Sequence, residues 1–173
     1  MFSSTLQDMG PKDKELHRIV ATCIIHKDGP LRHGSSEASK YLITRRALNK
    51  KAWPGKWTVP GGGLTIDDYI GEKPNSHGVW YNTLEKTLRR ELEEEVGLEV
   101  GKIDYLLDMT FIRPDKIPVV TLSFYAPFKS GEVKLNSESI DHAWVGADEV
   151  HNYELIAGID EEIKMVDDIL NEK

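Results

Sequence analysis

The sequence predicts an α/β protein, in the broad sense that includes α+β arrangements, with one sheet flanked by helices. Segments with the composition of β-strands outnumber segments with the period of helices, and each predicted helix carries one apolar face that must rest on a core. The chain has 173 residues, of which 39% are apolar, and this suits one hydrophobic core. We therefore expect residues 1–173 to form a single domain.

The predicted strands fall into two groups. Residues 18–26 and 40–46 are apolar runs separated by a polar stretch, which is typical of a hairpin. Residues 99–114 and 117–128 predict two long strands joined by a turn, and residues 141–146 predict a shorter one. Between the groups, residues 53–65 are so rich in Trp, Pro and Gly that they predict a shaped loop around a short strand.

Two helices are predicted. Residues 82–96 carry apolar side chains four apart, with Asn82 as N-cap, Glu85 completing a capping box, and Gly97 as a left-handed stop. Residues 159–170 also carry apolar side chains at helical spacing. We expect both helices to pack on the sheet.

Composition and charge exclude several classes of function. A formal charge of −7 repels polyphosphates, so a bound nucleotide needs a local cation, and the sequence has no basic stripe for duplex nucleic acid. It also lacks a membrane span and a signal peptide, which favours a cytoplasmic protein with residues 1–16 as a flexible segment. Cys23 lies in an apolar run and is expected in the core.

The segment Arg90–Leu98, with the sequence RELEEEVGL, is the most informative part of the chain. On a helix, Glu94 and Glu95 lie about 60° and 40° to either side of Glu91, so the three carboxylates share one face. Their mutual repulsion costs about 0.2 to 0.5 kcal/mol per pair. A divalent cation would offset that repulsion, because hard cations such as Mg²⁺ prefer oxygen ligands.

This segment resembles the second half of the Nudix box, REUxEExGU, in which U is an aliphatic residue. The approach from Trp57 to Gly63, WTVPGGG, resembles the same family, and the resemblance extends more loosely over residues 18–150. It implies an α/β/α sandwich with a mixed central sheet. It also implies a hydrolase that uses Mg²⁺, with Mn²⁺ as an alternative, to cut the pyrophosphate of a nucleoside diphosphate linked to another group.

The resemblance also assigns roles to individual residues. It implies that Glu91, Glu94 and Glu95 bind the catalytic metals and that Arg90 orients a glutamate. Gly61 and Gly62 shape the loop, where the lack of Cβ lets the backbone approach substrate at Gly61 and metal at Gly62. The residues that we expect in catalysis are Glu94, Glu91, Arg90 and Glu138.

Glu138 precedes a late strand, where some family members take a metal ligand or base, and Asp141 is its alternative. The expected substrate-binding residues are Trp57, Gly61, Trp53 and Arg45, and Tyr125 is a further candidate for stacking on a base. Aromatic side chains at such positions are, however, more often part of the core.

The first half of the Nudix box is interrupted. The family pattern has Gly, five residues, Glu, seven residues and then Arg. Counting back from Arg90 places Asn82 at the glutamate position, counting forward from Gly62 places Asp68 there, and Glu72 is a third candidate. Residues 66–81 form an insertion that either covers the substrate or is a surface excursion stapled to the helix by Trp80 and Tyr81.

The substrate is left open by the sequence. Pro114 stands sixteen positions after Leu98, a placement that resembles the branch of the family that cleaves ADP-ribose. Nucleoside triphosphates, including oxidised ones, and nucleotide sugars are the other candidates. Two alternatives belong to other classes: a nucleotide-binding module that does not cut its ligand, and a purely structural acidic domain. A homodimer is also possible, since dimers are frequent among members of this family.

Overall fold

A computed structural model describes residues 16–27 and 39–172 of the chain. The predicted flexible segment, except Leu16, and most of the loop after the first strand lie outside the described residues. The strands are β1 (Arg18–Lys27), β2 (Lys40–Arg46), β3 (Trp57–Thr58), β4 (Gly61–Gly63), β5 (Glu99–Val100), β6 (Asp104–Ile112), β7 (Pro118–Ser130) and β8 (Ser139–Val145). The helices are α1 (Thr83–Val96) and α2 (Ile159–Asn171), and two short 3-10 turns cover Ile66–Asp68 and Val150–Asn152.

The sheet is mixed, as the family resemblance implies. Strand β1 pairs with β7 in parallel and with β2 and β4 in antiparallel fashion. The predicted hairpin of β1 and β2 and the predicted antiparallel pair of β6 and β7 are both confirmed. Strand β8 pairs with β2. Helix α1 meets both the glycine strand β4 and the start of β8, because Glu95 accepts hydrogen bonds from Gly61 and Ser139.

The two helices cover opposite faces of the sheet. Strand β1 alternates its side chains, so Cys23 and Ile25 pack with the stripe of α1, whereas Ile24 packs with the stripe of α2. The buried α1 stripe is Leu88, Leu92 and Val96, and the buried α2 stripe is Ile159, Ile163 and Val166. Each helix buries one apolar face, and the predicted arrangement of helix, sheet and helix is confirmed.

The ends of α1 follow the prediction at one terminus only. Gly97 has a φ of 68° and its N–H bonds the carbonyl of Glu93, so the left-handed stop is confirmed. The capping box is wrong. Asn82 does stand at the N-cap, but with a φ of 57° instead of the extended backbone of most N-caps, and its side chain makes no capping bond. Glu85 instead binds Arg89 one turn later, at 2.9 and 3.0 Å.

Neither helix has the length of a membrane span. Helix α1 has 14 residues and α2 has 13, whereas a bilayer needs about 20 apolar residues. No helix within residues 16–27 and 39–172 is long and apolar enough to cross a membrane.

Candidate active site

The glycine strand β4 packs directly on the acidic face of α1. A Cβ added at Gly62 would overlap the carboxylate of Glu91, and a Cβ added at Gly61 would overlap the backbone carbonyl of Ala21. Gly61 is therefore required by the close approach of backbone, whereas a side chain at Gly62 would have to displace the end of the Glu91 side chain. We call Glu91, Glu94 and Glu95 the trio. The contact between Gly62 and Glu91 places the first acid of the trio against the glycine strand.

Glu95 is held by two hydrogen bonds from different parts of the sheet. The N–H of Gly61 donates to one carboxylate oxygen and the hydroxyl of Ser139 donates to the other, each at 3.0 Å. The residue is only 7% exposed. Burial raises the pKa of Glu95, and the neighbouring charges of Glu138 and Glu91 add to this effect, while the two hydrogen bonds oppose it.

Arg90 binds three carboxylates at once. Its guanidinium donates to Asp68 at 2.7 and 3.0 Å, to Glu94 at 2.8 Å and to Glu91 at 2.9 Å. The side chain of Asp68 is only 5% exposed. Burial alone would raise its pKa, but hydrogen bonds from Thr65 and Arg90 lower the pKa of Asp68 overall. The arginine therefore orients two acids of the trio.

The contact with Arg90 distinguishes among the three candidates for the interrupted glutamate position. Asp68 reaches Arg90, whereas Glu72 forms an ion pair with Lys86. Asn82 occupies the N-cap of α1. Asp68, the position counted forward from Gly62, is therefore the candidate that binds Arg90. The extra residues follow Asp68 in the chain.

The chemistry of the trio fits a hard divalent cation. The exposed fraction of the side chain is 21% for Glu91 and 56% for Glu94, so these acids face the solvent while Glu95 lies beneath. Among the described residues, no group of three or more Asp, Glu, His or Cys side chains is arranged to hold a metal ion by itself. Mg²⁺ is usually bound through one or two carboxylates plus substrate phosphates and water. The residues present fit that kind of site.

Glu138 lies beside the trio, and Asp141 does not. Glu138 immediately precedes Ser139, which binds Glu95, and its own charge acts on Glu95. Its exposed carboxylate pairs with Lys50 at 2.8 Å. Asp141 stands further along β8, where its position is paired with Arg45 of β2. The structure therefore favours Glu138 among the two late acids.

The predicted substrate-binding residues separate into two groups. Trp57 packs edge-on against Tyr153, with ring centroids 4.9 Å apart, in the core that α2 covers, and Tyr125 packs in the same core. Arg45 donates to the carbonyl of Gly55 at 3.0 Å and so braces the loop before β3. The structure places these three side chains in packing and bracing contacts and does not bring them to the trio.

Trp53 belongs to the other group. Its half-buried ring packs against Phe111 of β6, with centroids 5.6 Å apart and planes at 63°. The loop that carries Trp53 also meets the strand end that carries Arg46, because Arg46 donates to the carbonyl of Ala52 at 3.1 Å. An aromatic pair therefore stands next to the loop segment that Arg46 binds.

Two arginines near the trio escaped the sequence analysis. Arg46 experiences the charges of Glu95 and Glu138 and the like charge of Arg113, and burial lowers its pKa. Arg113 follows β6 and donates to Asp115 at 2.6 Å. Arg45 and Arg46 are neighbours at the end of β2, where the register with β8 shifts, and only the packing shows which of them meets the acids.

The insertion, residues 66–81, is attached to α1. Trp80 donates to the carbonyl of Glu72 at 3.0 Å and packs against Tyr69, while Glu72 pairs with Lys86. Tyr81 is exposed and does not act as a staple. An open cleft of about 590 Å³ lies between the insertion and α1, and Arg90 and Glu91 form part of its wall.

Comparisons with known proteins agree with this geometry. The model of the NUDIX domain family matches residues 17–166. A nucleoside triphosphatase NudI of Escherichia coli O17:K52:H18 is 30% identical over 125 residues, which cover 66% of this chain and 79% of the relative. A similar protein of Klebsiella pneumoniae is 28% identical over 128 residues, covering 68% of this chain and 80% of that protein.

Solved structures share the fold. A MutT protein from Methanosarcina mazei Go1 matches 95% of this chain and 98% of its own, with a TM-score of 0.63 and 22% identity. The NUDIX domain of Shewanella oneidensis NrtR, solved with ADP ribose, matches 90% of each chain with a TM-score of 0.66 and 18% identity. The family match over most of the chain, together with the acids gathered under the glycine strand, shows that this protein belongs to the Nudix hydrolase family.

Proposed function

We propose that the protein hydrolyses the pyrophosphate linkage of a nucleoside diphosphate linked to another group, with Mg²⁺ or alternatively Mn²⁺ bound at the trio. The proposal rests on the contacts that hold the trio against the glycine strand: Glu91 lies against Gly62, and Glu95 accepts a hydrogen bond from Gly61. The family membership and the name of the nucleoside triphosphatase relatives support the same reaction. A structural neighbour was solved in complex with ADP ribose, so ADP-ribose stays among the candidate substrates.

Each side chain has a defined task in this proposal. When bound, the metal would neutralise the diphosphate and activate water. Glu91 and Glu94 would hold it with oxygen atoms that Arg90 orients. Glu95 would bind the metal from the buried side of the site, and hydrogen bonds from Gly61 and Ser139 fix its carboxylate.

Glu138 is our proposed general base. Its carboxylate is 56% exposed, lies on the loop next to the trio, and can accept a proton from the attacking water once Lys50 is displaced. The geometry that supports this role is the adjacency of Glu138 to Ser139, the hydroxyl donor of Glu95.

The test is phosphate release from a panel of nucleoside triphosphates, ADP-ribose and nucleotide sugars, with and without Mg²⁺ or Mn²⁺. Wild-type protein should turn over at least one substrate in the presence of metal. Glu94→Gln should lower kcat by about 10²-fold or more, since it removes a metal ligand but keeps the shape of the side chain. Glu93→Gln is the matched control, because Glu93 is an exposed acid of the same helix that points away from the trio.

Three outcomes separate the candidate functions. Turnover that depends on metal and on Glu94 supports the hydrolase. Tight nucleotide binding without turnover of any substrate would support the nucleotide-binding module instead, and neither binding nor turnover would leave a structural domain. The homodimer and the cytoplasmic location stay predictions.

A further inference from the structure

The arginines Arg46 and Arg113 form a positively charged pair in a chain whose formal charge is −7. Each guanidinium is anchored from one side: Arg46 donates to the carbonyl of Ala52, and Arg113 donates to the carboxylate of Asp115. The Nε atom of Arg113 is buried and has no hydrogen-bond partner among the described residues. The pair is therefore held in place but incompletely satisfied.

The pair borders both the trio and the aromatic pair. On one side, Arg46 is paired across the strands with Ser139, whose hydroxyl binds Glu95, and it experiences the charges of Glu95 and Glu138. On the other side, Arg46 is anchored at Ala52, next to Trp53, whose ring meets Phe111. The aromatic rings, the guanidiniums and the carboxylates thus follow one another along the same region of the protein surface.

The backbone at the end of β6 sets the spacing between ring and charge. Arg113 is the first residue after β6, and its N–H still bonds the carbonyl of Ile117 across the turn. If the extended backbone continues to Arg113, its side chain lies on the same face as that of Phe111, about 7 Å away. Both are partly buried, whereas Ile112 between them is exposed. This separation is of the order that a ribose spans between a base and its 5′-phosphate.

Two like charges that share a partly buried position repel each other, and an anion placed between them removes that repulsion. The planar guanidinium donates in a fork that matches phosphate oxygens. Aromatic rings next to such an anion site offer a surface for a nucleobase. The described features therefore match the parts of a nucleoside monophosphate.

We propose that Arg46 and Arg113 bind the phosphate next to the nucleoside, while Trp53 and Phe111 hold its base. This inference rests on the proposed function and extends it, since it orients the substrate. The nucleoside half lies over the arginines, the scissile linkage lies at the trio, and the second group extends away from them. The recognised class is a nucleotide rather than an inorganic polyphosphate.

The test measures the binding of AMP by calorimetry, with adenosine as the probe that lacks the phosphate. Arg113→Gln should weaken AMP binding about tenfold and leave adenosine binding unchanged, because one charge-assisted contact is lost. Trp53→Ala should weaken the binding of both probes. Asp115→Asn releases Arg113 from its anchor but keeps the guanidinium, so AMP should still bind to that variant.

Kinetics provide the second measurement on the full chain, with any substrate that the wild-type protein turns over. Arg113→Gln should raise KM about tenfold with little change in kcat, and Arg113→Lys, which keeps the charge, should fall between Arg113→Gln and wild type. Lys164→Gln, at an exposed position of α2, is the charge control. Thermal unfolding of each variant shows whether the fold is retained.

The outcomes distinguish this inference from the proposed function. If wild-type protein hydrolyses nucleotides but Arg113→Gln keeps wild-type affinity for AMP and wild-type KM, the inference is wrong and the proposed function stands. If wild-type protein binds AMP through Arg113 but hydrolyses nothing, the inference stands and the proposed function is wrong. An equal loss of AMP and adenosine binding in Arg113→Gln would also overturn the inference, because it would indicate a general structural role.

Discussion

Arg90 and Asp68 are 22 residues apart in the chain and meet through two hydrogen bonds, at 2.7 and 3.0 Å. The acid follows the glycine strand, and the arginine opens the acidic segment of α1. The ion pair therefore joins the two halves of the site from within the insertion, residues 66–81, because Asp68 lies near its start. The rest of the insertion lies between these two partners in the chain.

The first prediction concerns this ion pair. Asp68→Ala should reduce stability by about 1 to 3 kcal/mol, because a largely buried partner of a charged group is lost, and should lower kcat because Arg90 no longer holds Glu91 and Glu94 in place. Thermal unfolding and phosphate release with Mg²⁺ measure the two effects.

The matched control for Asp68→Ala is Glu72→Ala, which removes an exposed ion pair with Lys86 in the same insertion. Exposed pairs contribute about 0 to 1 kcal/mol, so Glu72→Ala should change both quantities much less. Equal losses in the two variants would contradict the assignment of Asp68 to the interrupted glutamate position.

The second prediction concerns the close approach of the glycine strand. Gly62→Ala should displace the carboxylate of Glu91, since the added Cβ would overlap it, and a misplacement of about 1 Å at a catalytic group costs about 10²-fold in rate. The fold should survive, because the displaced atoms are the end of a flexible side chain. Gly71→Ala is the control, since nothing lies within 4 Å of its added Cβ. A wild-type kcat in Gly62→Ala would show that catalysis does not depend on the position of Glu91 against Gly62.

The third prediction is a pH dependence of stability that originates at α2. Glu162 is 3% exposed and binds the hydroxyl of Ser123. Burial raises its pKa above the ordinary 4.5, while the hydrogen bond from Ser123 lowers it in part. A raised pKa in the folded state means that the protonated form is favoured on folding. The stabilisation that protonated Glu162 provides is fully present below pH 4.5 and is lost as the pH rises through the folded-state pKa of this residue.

Glu162→Gln should therefore stabilise the protein at pH 7 by about 1 kcal/mol, or about 3 °C in Tm, and this difference should vanish near pH 4. Thermal unfolding of both proteins across that range measures it. Glu161→Gln, at the exposed neighbouring position, should have a much smaller effect. A Glu162→Gln variant that is less stable than wild type at pH 7 would mean that the carboxylate stabilises the fold.

The fourth prediction concerns the single cysteine. Cys23 of β1 is fully buried in the core that α1 covers, and burial raises the pKa of its thiol to about 12. Since the thiolate is the reactive form, labelling of native protein by a thiol reagent at pH 8 should be at least about 100-fold slower than labelling in denaturant. Rapid stoichiometric labelling without unfolding would place this thiol at an accessible surface.

Local sequence patterns predicted both helices and the long strands, although residues 99–114, predicted as one strand, form two strands, β5 and β6. The apolar spacing of α1 predicts the helix and its buried face, because helical periodicity depends only on neighbours within two turns. Gly97 predicts where the helix ends for the same reason. The acidic trio on one helical face is likewise a local property, so both its residues and its family resemblance could be read along the chain.

Long-range packing decided the rest, because contacts between distant segments are not encoded in any short window of sequence. Asp68, Glu72 and Asn82 were equivalent candidates along the chain, and only the folded loop brings Asp68 to Arg90. Arg45 and Arg46 are adjacent in sequence and both donate to carbonyls of the loop before β3, but packing also brings Arg46 near the charges of Glu95 and Glu138. Trp57 and Trp53 are both aromatic residues before the glycines, and they differ because Tyr153 and Phe111 lie on separate parts of the structure.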